Sequence, residues 1–224
     1  MAADSLASVV AAGAPLDEAR AVMIMVHGRN AGPRNILDLV PRLEPRTANA
    51  EPPSFAYLAP AAPTGSWYPY SFLAPIEQNE PHLTAALDTI RRLVEAVIAR
   101  GFASDRVMLL GFSQGACLSA ELAVRHARRY GGLVLFSGGL IGPPGTTWNQ
   151  QPAFAGTPVF LGCSDVDAHV PKTRVDESAA VFTRMGAQVT ERIYPGMGHL
   201  VNDDEMAAAR RMMDAVVRGR APAP

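Results

Sequence analysis

Short apolar runs alternate along this chain with stretches in which apolar residues recur every three or four positions. The runs that predict β-strands cover residues 21–26, 55–58, 107–110, 133–136, 159–161 and 189–194. Several of these runs are apolar on both faces, as buried strands of a parallel sheet are. The pattern therefore predicts a mostly parallel sheet.

The clearest helical pattern lies between Glu80 and Arg100, where apolar positions follow the helical period and Gly101 ends it. Further helices are predicted at residues 35–43, 114–129, 173–185 and 203–218. Strands and helices in alternation imply right-handed crossovers and a sheet covered on both faces. We expect one α/β domain over residues 1–224.

Two long segments show no usable period. Residues 60–79 contain four prolines and four aromatic residues, and residues 138–158 are rich in glycine and proline. Connections of this length often carry function. We expect both segments to form walls of an open site. Residues 138–158 also hold too much glycine and proline for a helical lid.

A G-x-S-x-G sequence joins the predicted strand 107–110 to the next helix, as Gly111-Phe112-Ser113-Gln114-Gly115. This context is typical of a nucleophile elbow, a sharp turn that points the serine hydroxyl away from the sheet. We therefore take Ser113 as the candidate nucleophile, against the alternative of a plain tight turn.

A serine nucleophile needs a base, and the base needs an orienting acid. His199 lies in a glycine-rich loop after the last predicted strand, and Asp167 follows the strand before it. Both positions lie beyond carboxyl ends of strands, where parallel sheets place their sites. Asp165 competes with Asp167 for the role of acid, and hydrogen bonding to the loop backbone is the alternative for Asp165.

The oxyanion hole should consist of two backbone N–H groups. One belongs to Gln114, directly after the nucleophile, and the other to Arg29, in the loop after the first predicted strand. His27 is expected to support this loop by hydrogen bonds. Trp67, Tyr68 and Phe72 are candidates to line the substrate pocket, with the alternative that they only pin the long loop.

Composition and residue spacing bear on the partners, the metal content and the location of the protein. The 224 residues are 48% hydrophobic, and 20 basic against 21 acidic residues give a formal net charge of -1, which does not favour a nucleic-acid partner. No apolar run is long enough to insert into a membrane. The histidines lack metal-site spacing, and neither Cys117 nor Cys163 forms a C-x-x-C pair, so we expect no metal. The N-terminus lacks a secretory signal, which predicts a cytoplasmic protein.

At these motifs the chain resembles the phospholipase/carboxylesterase family of α/β-hydrolases, which includes the acyl-protein thioesterases. The matching sequences are His27-Gly-Arg-Asn30, Gly111-Phe-Ser-Gln-Gly115, Asp167-Ala-His-Val-Pro171 and Gly196-Met-Gly-His199. The resemblance implies an α/β-hydrolase fold, a triad of Ser113, Asp167 and His199, oxyanion donors Arg29 and Gln114, and no cofactor.

Two positions depart from the family pattern. Asn30 stands where the second glycine of H-G-x-G is expected, and the Trp67 segment lacks the acid that acyl-protein thioesterases carry there. We therefore expect an esterase for small or aromatic soluble esters. The alternatives are an acyl-protein thioesterase or lysophospholipase-like hydrolase, a metal-free perhydrolase, and a non-catalytic ligand-binding protein. The sequence is also compatible with a homodimer.

Overall fold

The computed structural model describes residues 9–44, 54–148 and 151–219. The N-terminal residues used above for the predicted location lie outside these ranges. A seven-stranded sheet in the order β1-β3-β2-β4-β5-β6-β7 forms the centre of the fold. The strands are β1 (Val9–Gly13), β2 (Ala21–Val26), β3 (Phe55–Pro60), β4 (Val107–Phe112), β5 (Gly132–Phe136), β6 (Pro158–Ser164) and β7 (Gln188–Tyr194).

The sheet is mostly parallel, which confirms the predicted fold class. Among the strands of the described residues, β1 runs antiparallel to its neighbour β3, and every other adjacent pair is parallel. Strands β2, β3, β5 and β6 are buried at every position, as their apolar runs predict. β1 was not predicted, because its five residues form an edge strand that is partly exposed.

Helices cover both faces of the sheet. They are α1 (Pro33–Leu37), α2 (Val40–Leu43), α3 (Ile76–Asn79), α4 (His82–Ala99), α5 (Gln114–Arg125), α6 (Lys172–Arg184) and α7 (Asp203–Arg218). Apolar residues of α4, α5 and α6 pack in one core cluster, and those of α1, α2 and α7 pack in the other.

Two helix predictions need correction. The predicted helix 114–129 ends at Arg125, because His126 leaves the helical conformation at φ -126° and ψ 50°. The predicted helix 35–43 is two short helices, α1 and α2, joined by Asp38 and Leu39. Pro41, near the start of α2, fits this break because proline is favoured in the first turn of a helix.

Candidate active site

Ser113 sits on a strained turn between β4 and α5. Its backbone has φ 55° and ψ -122°. Residues other than glycine rarely adopt this conformation, which costs of order 1–3 kcal/mol. Gly111 and Gly115 make this turn sterically possible. A Cβ at Gly111 would overlap the backbone of Gly115, and one at Gly115 would overlap the carbonyls of Val26 and His27. The sheet and the helix therefore approach each other through glycine.

Ser113, His199 and Asp167 are joined in a continuous hydrogen-bonded chain. His199 Nε2 lies 2.9 Å from Ser113 Oγ, and His199 Nδ1 lies 2.7 Å from Asp167 Oδ2. The Phe112 ring lies 4.9 Å from the His199 ring, between centroids, and the His169 ring lies 4.8 Å away. The imidazole thus has one nitrogen toward the hydroxyl and the other toward the carboxylate.

The Asp167 carboxylate is stabilised in its ionised form. Burial raises the pKa of Asp167, but hydrogen bonds from His199 and from the backbone N–H groups of His169 and Val170 outweigh burial and leave this pKa below its ordinary value. The two N–H groups donate to Oδ1 at 2.8 and 3.0 Å. The carboxylate is therefore oriented as well as charged.

Cys163 is a further neighbour of this carboxylate, and no sequence motif predicted its place there. Its thiol donates to Asp167 Oδ2 over 3.7 Å. Burial, followed by the charge of Asp167, raises the pKa of Cys163 to about 12, so the thiol remains a neutral donor. The one available signal was its position at the end of β6, four residues before Asp167.

Asp165 makes a different contact from Asp167. Its Oδ1 accepts a hydrogen bond from the Gly196 N–H at 2.8 Å. Ser164 Oγ accepts from the Gly198 N–H at 3.0 Å. These two residues tie the loop after β6 to the loop that carries His199. Asp165 thus holds the loop backbone, as the alternative reading of this residue expects.

The backbone around the predicted oxyanion donors is well defined. The Ser113 N–H donates to Phe136 O at 2.9 Å, which removes it as an oxyanion donor. Gln114 is the first residue of α5, so its N–H has no acceptor within the helix. Asn30 adopts φ 58°, a left-handed conformation that asparagine tolerates. The asparagine in place of glycine therefore keeps a glycine-like backbone beside Arg29.

The side chains of both predicted oxyanion donors hold the loop of residues 60–79. Arg29 donates to Ser66 Oγ and to the carbonyls of Pro69 and Tyr70, at 2.7 to 3.0 Å. Gln114 Nε2 donates to Tyr68 O at 2.8 Å. This loop is consequently anchored to the two residues whose backbone N–H groups are the predicted oxyanion donors.

His27 supports the same loop from the end of β2. Its Nε2 accepts from the Ala62 N–H at 3.1 Å, which leaves the proton of the neutral ring on Nδ1, 2.8 Å from Gly28 O. Burial lowers the pKa of His27. Trp67 Nε1 in turn donates to His27 O at 2.9 Å. Of these contacts, the one to Gly28 O lies within the predicted oxyanion loop, and the contacts to Ala62 and Trp67 join His27 to the loop of residues 60–79, which was not predicted.

A cavity of about 810 Å³ opens over Ser113 and His199. Tyr68 and Phe72 line it, as does Cys117, a buried thiol whose pKa is raised to about 12, chiefly by burial. Trp67 is absent from the described lining and is 2% exposed. Of the three pocket candidates, Trp67 therefore fits the alternative of pinning the loop.

The expectation that residues 138–158 form a wall of the site is wrong for its described part. No described residue of this segment lines the cavity. Leu140, Ile141 and Phe154 are buried in the core instead, and Glu121 of α5 accepts from the Ile141 N–H at 3.1 Å. The opposite wall comes from α1, α2 and the residues after His199.

Two further observations concern residues 9–44, 54–148 and 151–219. No group of three or more His, Cys, Asp or Glu side chains is arranged to hold a metal ion there. In the same ranges no helix has the length and apolar content needed to cross a membrane.

A serine, a histidine and a carboxylate linked in this order at the carboxyl edge of a mostly parallel sheet define a serine hydrolase of the α/β-hydrolase fold. The chain belongs to the phospholipase/carboxylesterase family, whose sequence profile matches residues 8–217. It is thus a hydrolase of the carboxylesterase and acyl-protein thioesterase type.

Individual relatives agree with this family. The chain is similar to a phospholipase/carboxylesterase of known structure from Dyadobacter fermentans, with 35% identity, a TM-score of 0.83, and coverage of 94% of this chain and 96% of that one. It is 29% identical to Acyl-protein thioesterase 1 of Eremothecium gossypii over 77% of this chain and 72% of the relative. It is 28% identical to the Saccharomyces cerevisiae protein of the same name over 54% of each.

Proposed function

We propose that this protein hydrolyses small or aromatic soluble carboxylic esters through an acyl-enzyme intermediate. The observation that carries the proposal is the unbroken chain from Ser113 Oγ through the His199 ring to Asp167, with separations of 2.9 and 2.7 Å. These distances allow proton transfer without rearrangement.

In the first step Ser113 Oγ attacks the ester carbonyl carbon while His199 Nε2 takes the hydroxyl proton. Asp167 holds the other nitrogen, Nδ1, and stabilises the imidazolium. The N–H groups of Arg29 and Gln114 donate to the oxyanion, and one such donor contributes roughly 3–4 kcal/mol. His199 then protonates the leaving alkoxide, which departs as the alcohol.

In the second step His199 removes a proton from water, and the hydroxide attacks the acyl carbon bound to Ser113. The collapse of this intermediate breaks the bond to Oγ and returns the proton to the serine. The sum is one water consumed, with one acid and one alcohol released. No cofactor is needed for either step.

The preference for small or aromatic esters rests on the shape and lining of the cavity. Tyr68, Phe72 and Phe112 supply aromatic side chains beside the nucleophile, and aromatic rings favour flat apolar groups. The cavity has no described cover from residues 138–158, which supports access by substrates in solution.

Acyl-protein thioester hydrolysis is the second candidate, because two of the relatives are named for it. Oxygen esters and thioesters of the same short acyl group, compared by kcat/KM, separate the two candidates. A peroxide assay tests the perhydrolase alternative, and a serine-reactive fluorophosphonate tests the non-catalytic one, since a binding protein would not react.

The deciding experiment replaces Ser113 with alanine. We expect a loss of about 10³–10⁶ in kcat for p-nitrophenyl acetate and loss of fluorophosphonate labelling. Ser119→Ala is the matched control, because Ser119 is a buried serine of α5 whose Oγ has no partner among the described residues. It should keep both properties. Near-normal ester turnover in Ser113→Ala would reject the proposal.

A further inference from the structure

One wall of the cavity is apolar but carries a cation. This wall, formed by α1, α2 and the residues after His199, includes the apolar side chains Ile36, Leu39, Leu200 and Val201. Arg42 of α2 lines the same wall. A substrate chain lying against this wall would thus meet apolar contacts and one guanidinium.

The charges that face the cavity have one sign. Its lining includes Arg29 and Arg42, and no Asp or Glu occurs among the described lining residues. The carboxylate of Asp167 has no exposed side-chain surface. Walls of low dielectric lined by one sign of charge attract ligands of the opposite sign, so the cavity favours an anionic substrate.

Of the two arginines, Arg42 is the one positioned for a ligand. The Arg29 guanidinium already donates to Ser66, Pro69 and Tyr70. Among the described residues, Arg42 forms one ion pair, in which its Nη2 lies 2.9 Å from Asp203 Oδ1. A guanidinium has five N–H donors, so this pair leaves donors for a second carboxylate.

The partner of Arg42 is easily replaced. The Asp203 side chain is 100% exposed, and that of Arg42 is 39% exposed. Exposed pairs of this kind contribute little because water competes for both charges. The position of α2 does not depend on this pair alone, since Arg210 Nη1 donates to the Arg42 carbonyl at 2.7 Å.

We propose that the preferred substrates are esters that carry a free carboxylate, such as monoesters of short dicarboxylic acids, and that Arg42 binds this carboxylate. The proposal rests on the function proposed above and uses the same reaction. Water cleaves the single ester bond into the dicarboxylic acid and the alcohol, while the free carboxylate takes no part in bond changes.

The test compares monoethyl adipate with ethyl hexanoate, which has the same acyl length without the charge. The measured quantity is the ratio of kcat/KM for the charged ester to that for the neutral ester. In the unmodified protein this ratio should exceed one. It should fall as salt is added, because screening weakens the attraction between partly exposed charges.

Arg42→Gln should lower this ratio roughly tenfold, the effect of losing a charge-assisted contact that water partly screens. Arg42→Lys, which keeps the charge but loses the planar fork, should give an intermediate ratio. Asp203→Asn should raise the ratio, because it removes the competing carboxylate. Arg34→Gln is the matched control, since Arg34 lies on α1, is exposed and does not line the cavity.

Three outcomes would overturn the inference: a ratio of one or less in the unmodified protein, equal changes in Arg42→Gln and Arg34→Gln, or no turnover of either ester by a protein whose Ser113 still reacts with a fluorophosphonate. A protein that does not react with the fluorophosphonate would instead overturn the proposed function. Circular dichroism of each variant confirms that a lowered ratio is measured on folded protein.

Discussion

The side-chain oxygen of Gln114 accepts a hydrogen bond from the Trp67 N–H at 3.0 Å. The side chain of the residue that follows the nucleophile therefore holds the loop of residues 60–79. Its backbone N–H, at the start of α5, has no acceptor within the helix. One residue thus serves both the proposed oxyanion hole and the cavity wall.

Replacing Gln114 with alanine separates these two contributions. The variant keeps the backbone N–H but leaves the buried Trp67 N–H without its acceptor, which costs about 1–3 kcal/mol. We expect a lower free energy of unfolding in urea and a raised KM, with kcat reduced far less than in Ser113→Ala. A loss of kcat as large as that of Ser113→Ala would show that the side chain acts on the substrate directly.

The two aspartates after β6 should respond differently to the same change. Asp167→Asn leaves the imidazole in the wrong tautomer and should lower kcat by about 10⁴. Asp165→Asn weakens the contact to the Gly196 N–H only and should have a mild effect. Both are measured as kcat on one ester. Equal mild losses, or a larger loss in Asp165→Asn, would contradict the assignment of Asp167.

Glu205 predicts a dependence of stability on pH. It is fully buried in the first turn of α7, where its Oε2 accepts from the Asn202 N–H at 2.8 Å and its Oε1 has no partner among the described residues. Burial raises the pKa of Glu205 to about 7 from an ordinary value of 4.5, although the Asn202 N–H lowers it in part. Burial therefore favours the protonated carboxyl in the folded protein at pH 6.

The direction in which stability changes with pH follows from the pKa of Glu205 in the folded and the unfolded states. Below pH 4.5 the carboxyl is protonated in both states, and between 4.5 and about 7 only the unfolded state loses the proton. The contribution of Glu205 to stability therefore falls as pH rises through this window, by up to about 3 kcal/mol. Glu205→Gln keeps a capping side chain without a charge. Its free energy of unfolding, measured with urea at several pH values, should fall less steeply with rising pH than that of the unmodified protein. An unchanged dependence of the free energy of unfolding on pH would show that Glu205 is not its cause.

Gly115→Ala should prevent normal folding. The added Cβ would overlap the backbone of Val26 and His27. Neither the sheet nor α5 can shift to make room for it without losing contacts. Expression of soluble protein and its thermal unfolding provide the measurement. Gly32→Ala is the control, because its Cβ would meet nothing closer than Asn35 Oδ1 at 3.9 Å. Equal stability of the two variants would show that the elbow tolerates a side chain.

Because the described part of residues 138–158 is held in the core and does not form a movable lid, we expect ordinary saturation kinetics. This part is fixed by the buried guanidinium of Arg174, which donates to Leu140 O and Gly142 O at 2.8 and 2.7 Å. A segment held in this way does not open at a lipid surface. We expect no jump in rate when an ester passes its solubility limit. A several-fold gain on emulsified long-chain triglyceride over a monomeric short ester would contradict this.

The elements that could be predicted are those whose signal is local. Apolar runs indicated six of the seven strands, and the turn motif indicated the elbow at Ser113. β1 gave no such signal, since its sequence Val-Val-Ala-Ala-Gly is short, and three of its residues are half-buried and two are exposed. It is a strand because β3 offers an edge to pair with, a fact of tertiary structure.

The same distinction applies to the site. Ser113, Asp167 and His199 each follow a strand, so their order and position were enough to expect them at one edge. Arg42 is not part of any motif, and its place at the cavity follows from how α2 packs on α7. The segment of residues 138–158 was misplaced because the buried Arg174 and Glu121, which draw it into the core, lie on separate helices.

The hydrogen bond from the Ser113 N–H to Phe136 O makes the candidate nucleophile an extension of the ladder between β4 and β5. These are central strands, and central strands open only when the whole domain unfolds. On heating, the Ser113 turn should therefore persist until the far-UV circular dichroism signal is lost. Esterase activity that disappears before this signal would then report local opening of the loops that carry Asp167 and His199.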